Sequence, residues 1–378
     1  MLDLLVIQPT PFCNIDCSYC YLPDRNNSAK ISLSTIEKTA QRLIESDLLK
    51  DELTIVFHAG EPLVAGIKFY DKVFEIFNQY IKPKVKQLNY AIQTNGILID
   101  DYWCELINRE NIRIGISIDG PEHIHDYYRK TRSGKGTFEK VMQGVHLLKK
   151  HQINYHGIAV VTEQSLNYAK DIFDFYYQNG FYLLGLNIEE QEGINSNSSL
   201  YNKNLESQIF QFFSEIFNLY FESDKHMSIR ELNCSMGAIL REPGVLDIKE
   251  SKINSHQLYP YGIITVDYKG NFSTFSPELL GQVSQEYNDF IIGNVFDIGF
   301  EMSKNTIVFQ KLSNDIQAGV EKCKKECKYY HLCGGGAPSN KFYENKSFIS
   351  TETKYCKYHI QYPLEISLSL LEKRLAIN

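Results

Sequence analysis

The sequence predicts an α/β protein built around a parallel sheet of six strands and followed by a cysteine-rich region. Three observations support this prediction. Short apolar runs alternate with amphipathic segments over residues 3–224. The runs are apolar at nearly every position, which is typical of strands buried on both faces. Six strand–helix units in series then require right-handed crossovers. An open barrel is favoured over a flat sheet, although periodicity alone does not separate them.

The six strands are predicted from their apolar runs and the helices from apolar residues at helical spacing. Ser34 and Glu37 match a capping box at the start of the first helix. The predicted strands are Leu4–Gln8, Leu53–His58, Leu88–Thr94, Ile112–Ile118, Tyr155–Val161 and Leu183–Ile188. The later helices are predicted at Phe69–Tyr80, Phe138–Lys149, Leu166–Tyr177 and Leu205–Phe221.

The character of the chain changes near residue 225. A polar stretch over residues 191–204 predicts a long loop. Residues 263–275 predict a hairpin, a cysteine- and glycine-rich segment spans residues 323–356, and residues 363–375 predict a final helix. We therefore divide the chain into a first domain at 1–225, a connecting segment at 226–260 and a second domain at 261–378.

Composition excludes several classes of protein. Hydrophobic residues make up 43% and charged residues 22% of the 378, which is ordinary for a globular chain. The formal charge of −7 gives no electrostatic basis for binding nucleic acid. No apolar run is long enough to span a bilayer, and the N-terminus lacks a basic signal-peptide region. The histidines do not cluster as metal ligands, and we expect His123 and His125 at the surface.

Cysteine is the informative residue type, because clustered thiols in a protein that is not exported favour metal or redox chemistry over disulfides. Three of the nine cysteines, Cys13, Cys17 and Cys20, follow the first predicted strand. Iron–sulfur clusters normally take four thiolates, so three would leave one iron open to a non-protein ligand. The alternatives are a zinc site with one ligand elsewhere, or a redox pair with a spare thiol.

This CxxxCxxC segment resembles the signature of radical S-adenosylmethionine (SAM) enzymes. In that family the open iron of a [4Fe–4S] cluster binds SAM, and one electron converts SAM into a hydrogen-abstracting 5′-deoxyadenosyl radical. The resemblance implies a partial (β/α)6, TIM-like radical SAM barrel. Such cofactors supply the chemistry, and the protein supplies orientation and protection.

Turn motifs after successive strands extend the resemblance. His58-Ala59-Gly60-Glu61-Pro62 is similar to the family's GGEP motif, with Ala59 in place of the first glycine. Each motif alone is an ordinary turn, but their order matches the family, and ligands bind at the carboxyl ends of parallel strands. The resemblance implies SAM contacts at Tyr19, Gly60, Glu61, Pro62, Gln93, Asn95, Ser117, Asp119, Arg129 and Val161. Arg129 is expected on the SAM carboxylate, and Val160 and Val161 on the adenine.

A second set of cysteines lies near the C-terminus, at Cys323, Cys327, Cys333 and Cys356. Four thiolates can close a [4Fe–4S] cluster, and a structural zinc site is the alternative. The pattern resembles the SPASM extension of peptide-modifying radical enzymes, which carries auxiliary iron–sulfur clusters. Full SPASM domains have seven cysteines, whereas Ala337 follows the three glycines here. We therefore expect one auxiliary [4Fe–4S] cluster without an open iron, suited to electron transfer or structural support.

The two remaining cysteines are predicted to be buried fillers, because free cysteine is often buried. Cys104 falls in a predicted helix beside Trp103 and Leu106. Cys234 is also compatible with an active-site thiol or an additional cluster ligand.

Further segments resemble one subgroup of SPASM maturases, which act on ribosomally made precursor peptides and form cyclophanes by joining an aromatic ring carbon to a nearby β-carbon. Spliceases, a related group, excise a tyrosine-derived fragment from the peptide backbone, and the motifs do not separate the two. A third reading is a non-catalytic iron–sulfur protein for electron transfer. We name Asn187, Glu189 and Glu190 as substrate contacts, and for the two carboxylates a solvated loop start is the alternative. The segments are residues 8–11, 21–25, 187–190, 275–280 and 293–295.

Within one of these segments, Asp24 and Arg25 are read either as an ion pair that closes the cluster loop or as separate solvated charges. The predicted barrel starts near residue 1, so we expect leader recognition by the SPASM region or by a separate small protein. A reductase or other electron donor is a further expected partner. Oxygen-labile clusters indicate a reducing cytoplasm.

Overall fold

The computed structural model describes residues 2–201, 204–240 and 255–375. Six parallel strands pair in chain order, which confirms the predicted α/β fold. The strands are β1 (Leu4–Ile7), β2 (Glu52–Phe57), β3 (Gln87–Thr94), β4 (Arg113–Ser117), β5 (Tyr155–Val161) and β6 (Leu183–Ile188). The helices of this region are α1 (Leu33–Ile44), α2 (Ile67–Tyr80), α3 (Asp101–Arg109), α4 (Glu122–Tyr128), α5 (Phe138–Lys150), α6 (Ala169–Gln178) and α7 (Glu206–Glu222).

The cap of α1 differs from the prediction. Ser32, and not Ser34, is the capping residue, and its hydroxyl oxygen accepts the Thr35 N–H at 3.0 Å. Ser34 lies inside the helix. The reason is that α1 begins two residues earlier than the capping-box pattern implied.

The C-terminal part adds strands to the same sheet. The predicted hairpin forms, and its first strand pairs in parallel with β1, so that Leu4 faces Ile263. The full strand order is β10-β9-β8-β1-β2-β3-β4-β5-β6-β7. These strands are β7 (Ser228–Ile229), β8 (Ile263–Val266), β9 (Asn271–Thr274) and β10 (Gly293–Asn294), and the helices are α8 (Arg230–Ile239), α9 (Ile307–Glu326), α10 (Tyr330–Cys333), α11 (Pro338–Asn345) and α12 (Tyr362–Leu375).

The predicted division into two domains and a connecting segment remains a prediction, and part of that segment, residues 241–254, lies outside the described ranges. Helix α12 packs against α7 and α8, which places the C-terminal helix beside the barrel. No helix in the described ranges is both long and apolar enough to cross a bilayer.

The alternation of side chains along the strands positions the site. On β2, Ile55 and Phe57 are fully buried outside the barrel, where the Phe57 ring packs edge-on against Tyr70 and Phe74. Val56, between them, faces the interior cavity. Successive residues of a strand point to opposite faces, so each strand contributes one face to the helical layer and the other to the cavity.

Candidate functional site

The interior of the barrel holds a cavity of about 400 Å³. All three cysteines of the loop after β1 line it: Cys13, Cys17 and Cys20. Its wall also includes residues from β2 to β6, so the sheet curves around it as an open barrel. These residues are Val56, Gln93, Ser117, Ile158, Val160 and Asn187.

Two arginines hold the cysteine loop in place. Arg132 donates hydrogen bonds from Nε and Nη2 to the Cys13 carbonyl at 3.0 and 2.7 Å. Arg25 donates to the Cys17 carbonyl at 3.1 Å and pairs with Asp16 at 2.8 Å. The predicted Asp24–Arg25 ion pair is therefore wrong, since Arg25 turns to Asp16. Sequence reasoning missed Arg132, because no pattern linked it to a loop more than 100 residues away.

The turn after β2 approaches the cysteine loop closely. At Gly60, φ is +58°, and a Cβ atom there would lie 2.4 Å from the Thr10 carbonyl oxygen and 2.6 Å from that of Phe12. The next residue, Glu61, donates its N–H to the Phe12 carbonyl at 2.8 Å. Ala59 also adopts a positive φ, +72°, a region that costs an L-residue energy. Only glycine fits at position 60 without displacing the loop.

The carboxylate of Glu61 does not line the cavity, and its predicted contact with SAM stays a prediction. It is fully buried and accepts bonds from the Thr94 hydroxyl at 2.7 Å and the Asn95 N–H at 2.8 Å. Burial raises the pKa of Glu61 to about 7. The side chain therefore fixes the turn after β3 to the turn after β2. Pro62 is likewise buried beside it, away from the cavity wall.

Three predicted contacts on β3 and β4 do face the cavity. Gln93 donates its amide N–H to the Ser117 hydroxyl at 2.9 Å. The Asn95 amide donates to Asn14 Oδ1 at 2.7 Å and lies 3.8 Å from the sulfur of Cys13. Gln93, Asn95 and Ser117 all line the cavity wall.

Asp119 and Arg129 form a buried ion pair. Nε and Nη2 of Arg129 donate to the two carboxylate oxygens at 2.9 and 3.0 Å. Asp119 also accepts the Tyr19 hydroxyl at 2.6 Å and the Val160 N–H at 3.0 Å. Asp119 is 1% exposed and its carboxylate oxygens are bonded within the protein, and its predicted contact with SAM stays a prediction. Arg129 and Tyr19 do line the cavity.

His125 is fully buried, which corrects its predicted surface position. Its Nδ1 accepts the Asp119 N–H at 3.3 Å, so Nε2 carries the proton and donates to the Thr137 hydroxyl at 2.9 Å. That hydroxyl donates to the Arg129 carbonyl at 3.0 Å. Burial lowers the pKa of His125 to about 3. The neutral ring thus ties the backbones of Asp119 and Arg129 together.

Strand alternation places the side chains of Val160 and Val161 on opposite faces of β5. The side chain of Val161 is 1% exposed and belongs to the hydrophobic core. Its neighbour Val160, together with Ile158, lines the cavity. A position in a motif does not fix the face of a strand, and a shift of one residue reverses it.

The predicted substrate contacts lie at the end of β6 and in the loop that follows it. Asn187 accepts a bond from Nη2 of Arg230 at 2.6 Å. Glu189 is buried and accepts the Ser199 N–H at 2.9 Å. Glu190 accepts the amide of Asn340, on α11, at 2.5 Å. All three predicted residues line the cavity, so none of them is at a solvated loop start.

Two further carboxylates, Glu192 and Glu278, line the cavity, and sequence reasoning did not single them out as site residues. Burial raises the pKa of each, and the coulombic effect of Glu190 adds to the shift at Glu192. Burial likewise raises the pKa of Glu190 to about 8. Glu278 lies within residues 275–280, one of the segments that resemble the maturase subgroup, but that resemblance indicated nothing about the position of its side chain.

The four C-terminal cysteines surround one small cavity between the end of α9, α10 and the π-helical turn Cys356–Gln361 that precedes α12. Cys333 accepts the Gly336 N–H at 3.3 Å. The ammonium of Lys341, which is 3% exposed, lies 3.1 Å from the sulfur of Cys323 and 3.1 Å from the Gly319 carbonyl oxygen.

The donor sets of both cysteine groups fit iron–sulfur clusters. Burial raises the pKa of Cys13 to about 11 and that of Cys17 and Cys356 to about 12. Such thiols lose their protons when a cation compensates the charge, as iron does. Within residues 2–201, 204–240 and 255–375, no group of three or more His, Cys, Asp or Glu side chains is placed to hold one metal ion. An iron–sulfur cluster differs from a single ion, because its cysteine ligands bind several iron atoms.

The two cysteines outside these two sets, Cys104 and Cys234, differ in their exposure. Cys104 is fully buried, as predicted. Cys234 is exposed, so its prediction as a buried thiol is wrong. The buried side of α8 is formed by Glu231, Leu232, Ser235 and Ala238, and Cys234 falls between these positions of the helical repeat.

Comparison with known proteins finds a matching family model and similar proteins. The model of the radical SAM superfamily matches residues 7–176. An uncharacterised protein of Synechocystis sp. is 39% identical, with 99% of this chain and 93% of that protein covered. The serine-type anaerobic sulfatase-maturating enzyme of Bacteroides thetaiotaomicron is 27% identical, with 93% and 86% covered.

Two solved structures share the fold. The structure of native anSMEcpe with bound AdoMet and Cp18Cys peptide superposes with a TM-score of 0.77 at 22% identity, covering 100% of both chains. That of Streptococcus suis SuiB bound to precursor peptide SuiA gives 0.65 at 15% identity, covering 94% of this chain and 76% of the other.

Proposed function

This chain belongs to the radical SAM superfamily, and we propose that it modifies a ribosomally made precursor peptide by a cyclophane cross-link between an aromatic ring carbon and a neighbouring β-carbon. One observation carries the proposal. The three cysteines after β1, the polar groups of β3 and β4, and the carboxylates after β6 all line a single cavity. Its volume, about 400 Å³, is in the range of small-molecule sites.

In this proposal the residues of the cavity have three roles. Cys13, Cys17 and Cys20 hold a [4Fe–4S] cluster. Gln93, Asn95, Ser117 and Arg129 offer the polar groups that bind and orient SAM. Tyr19, Glu61 and Asp119 act through their neighbours, because their polar atoms are already bonded inside the protein. When bound, the cluster and SAM supply a 5′-deoxyadenosyl radical for hydrogen abstraction.

Cys323, Cys327, Cys333 and Cys356 hold one auxiliary [4Fe–4S] cluster. With four thiolates it has no open iron, so we assign it to electron transfer or structural support. The Asn340–Glu190 hydrogen bond links α11, which follows the glycines of this site, to the wall of the barrel cavity. The auxiliary site therefore lies next to the side of the cavity that we assign to the substrate.

The relatives support a peptide as substrate. The structure of anSMEcpe holds a Cp18Cys peptide, and that of SuiB holds its precursor peptide SuiA. Both share the fold of this chain. The residues that we predict to contact a substrate line the same cavity as the three cysteines. As partners we propose the precursor peptide, an electron donor and a separate small leader-binding protein. The clustered thiols favour a reducing cytoplasm.

The experiment is anaerobic co-expression of this chain with a small peptide encoded beside its gene, followed by mass spectrometry of the peptide. The proposal predicts a loss of two hydrogens per site, with fragmentation suppressed between an aromatic residue and its neighbour. Rejoined flanks after loss of a tyrosine-derived fragment would identify a splicease instead. Loss of two hydrogens with normal fragmentation would contradict the cross-link.

A further inference from the structure

Three carboxyl groups lie on one side of the cavity, and within the described residues no salt bridge joins any of them to a cation. Glu190, Glu192 and Glu278 line the same cavity. Burial raises the pKa of all three, and the neighbouring carboxylates add to the shifts at Glu190 and Glu192. Like charges in a low-dielectric site repel strongly. Such a group is stable only if it stays protonated or receives a positive partner.

Two oxygen atoms of this group have no hydrogen-bond partner among the described residues. Glu192 is 3% exposed, yet no hydrogen-bond partner in residues 2–201, 204–240 or 255–375 reaches its Oε1. The same holds for Oε2 of Glu278 within the described chain. Buried polar atoms are normally paired, so these two oxygens are available to a donor that enters the cavity.

One cation near the group, Arg230, is bonded to other partners. Arg230 influences Glu190 electrostatically, but its Nε donates to Glu231 at 2.7 Å and its Nη2 to Asn187 at 2.6 Å. Asn340 donates to Glu190 but is neutral. The group therefore keeps carboxyl oxygens toward the cavity that the described residues do not bond. A cation that enters the cavity would favour the ionised form of these carboxyls.

We propose that Glu190, Glu192 and Glu278 form a subsite for a positively charged side chain of the peptide substrate. The inference rests on the proposed function, because it assumes that the cavity receives a peptide. A guanidinium or ammonium group offers several donors and a full charge to the free carboxylate oxygens. Tyr21 lines the cavity close to both Cys20 and the three carboxylates. The subsite would therefore fix which residue of the peptide lies beside the cysteine loop.

The test compares two small probes on the full chain with reconstituted clusters. N-acetyl-arginine methylamide carries the charge, and N-acetyl-citrulline methylamide has the same shape without it. Calorimetry under anaerobic conditions is expected to show binding of the arginine probe about tenfold tighter than of the citrulline probe. Equal affinities, or no binding of either probe, would overturn the proposal.

Matched variants locate the effect. Glu192→Gln and Glu278→Gln are expected to reduce the difference between the probes to about twofold, whereas Glu75→Gln, at an exposed side chain on α2, is expected to preserve it. Two variants are compared so that misfolding of one of them does not remove the test. A difference that persists in both variants would show that the charge is recognised elsewhere.

The SAM molecule is itself a cation and is the competing occupant. SAM affinity, measured by equilibrium dialysis, is expected to stay within about twofold in Glu192→Gln and Glu278→Gln. A tenfold loss would assign the carboxylates to SAM and overturn the subsite. Failure of the proposed function is a separate result, because the co-expressed peptide would then show no cross-link by mass spectrometry, whatever the probes show.

Discussion

Arg129 binds Asp119 through two hydrogen bonds of 2.9 and 3.0 Å, and both side chains are buried beside the cysteine loop. The pair joins the turn after β4 to the end of α4 and also receives Tyr19, between Cys17 and Cys20. Two residues that the sequence assigned separately to the cofactor thus first bind each other. They set the shape of the wall on which the cofactor site depends.

Asp119→Asn tests this pair. The change leaves the Arg129 charge buried without its partner, and breaking a buried pair costs about 3–5 kcal/mol. We expect a loss of that size in the free energy of unfolding, measured by denaturant titration of the cluster-free protein. Glu75→Gln, which removes an exposed ion pair with Lys72, is expected to cost less than about 1 kcal/mol. Equal effects of the two changes would contradict the assigned role.

His125 predicts a specific pH dependence. Its pKa in the folded protein is lowered to about 3 by burial, whereas an unfolded histidine titrates near about 6.5. The unfolded state therefore binds more protons below this pH, and the stabilising contribution, complete above about 6.5, is lost as the pH falls.

The comparison is between wild type and His125→Gln. The slope of the unfolding free energy against pH, measured between pH values of about 6 and 4.5, is expected to be smaller in the variant by about 1.4 kcal/mol per unit. Other titrating groups contribute to both proteins and cancel. An identical slope in the two proteins would show that the ring is not buried in its neutral form.

Gly60→Ala tests the close approach of the β2 turn to the cysteine loop. The new methyl group would meet two backbone carbonyl oxygens, and overpacking of this kind costs about 1–3 kcal/mol. We expect that loss in unfolding free energy and a lower iron content after reconstitution. Gly66→Ala is the control, because φ is +89° there but no atom lies within 4 Å of the added Cβ. The variant at position 66 should keep its iron, and iron loss in both would assign the effect to backbone strain alone.

Lys341→Met tests the auxiliary site. The Lys341 ammonium lies 3.1 Å from the sulfur of Cys323, and a nearby positive charge favours the reduced, more negative state of a cluster. We expect the midpoint potential to fall by roughly tens of millivolts in the variant. The measurement is a redox titration followed by electron paramagnetic resonance, in a background with Cys13, Cys17 and Cys20 changed to Ala. Lys346→Met, at an exposed lysine, is the control, and an unchanged potential in Lys341→Met would contradict the prediction.

The sequence was sufficient for the sheet but not for the direction of individual side chains. The apolar runs predicted β5 and β6 with their observed bounds, because burial on both faces leaves a strong signal. The motif at the end of β5 did not distinguish Val160, which lines the cavity, from Val161, which does not.

The remaining differences have the same origin. Whether Glu61 faces a ligand or the Asn95 N–H depends on contacts between distant turns. His125 and Glu192 are polar residues in short or irregular segments, for which the sequence pattern carries no information about burial. Their roles follow only from the tertiary arrangement around the cavity.

The central claim is that Cys13, Cys17 and Cys20 support reductive cleavage of SAM. The most direct measurement is the amount of 5′-deoxyadenosine formed from SAM and dithionite by anaerobically reconstituted protein, determined by liquid chromatography with mass spectrometry. We predict product from wild type and from Cys104→Ala, a change in the core, and none from Cys13→Ala, Cys17→Ala or Cys20→Ala. No product from cluster-loaded wild type, or product from all three variants, would contradict the account.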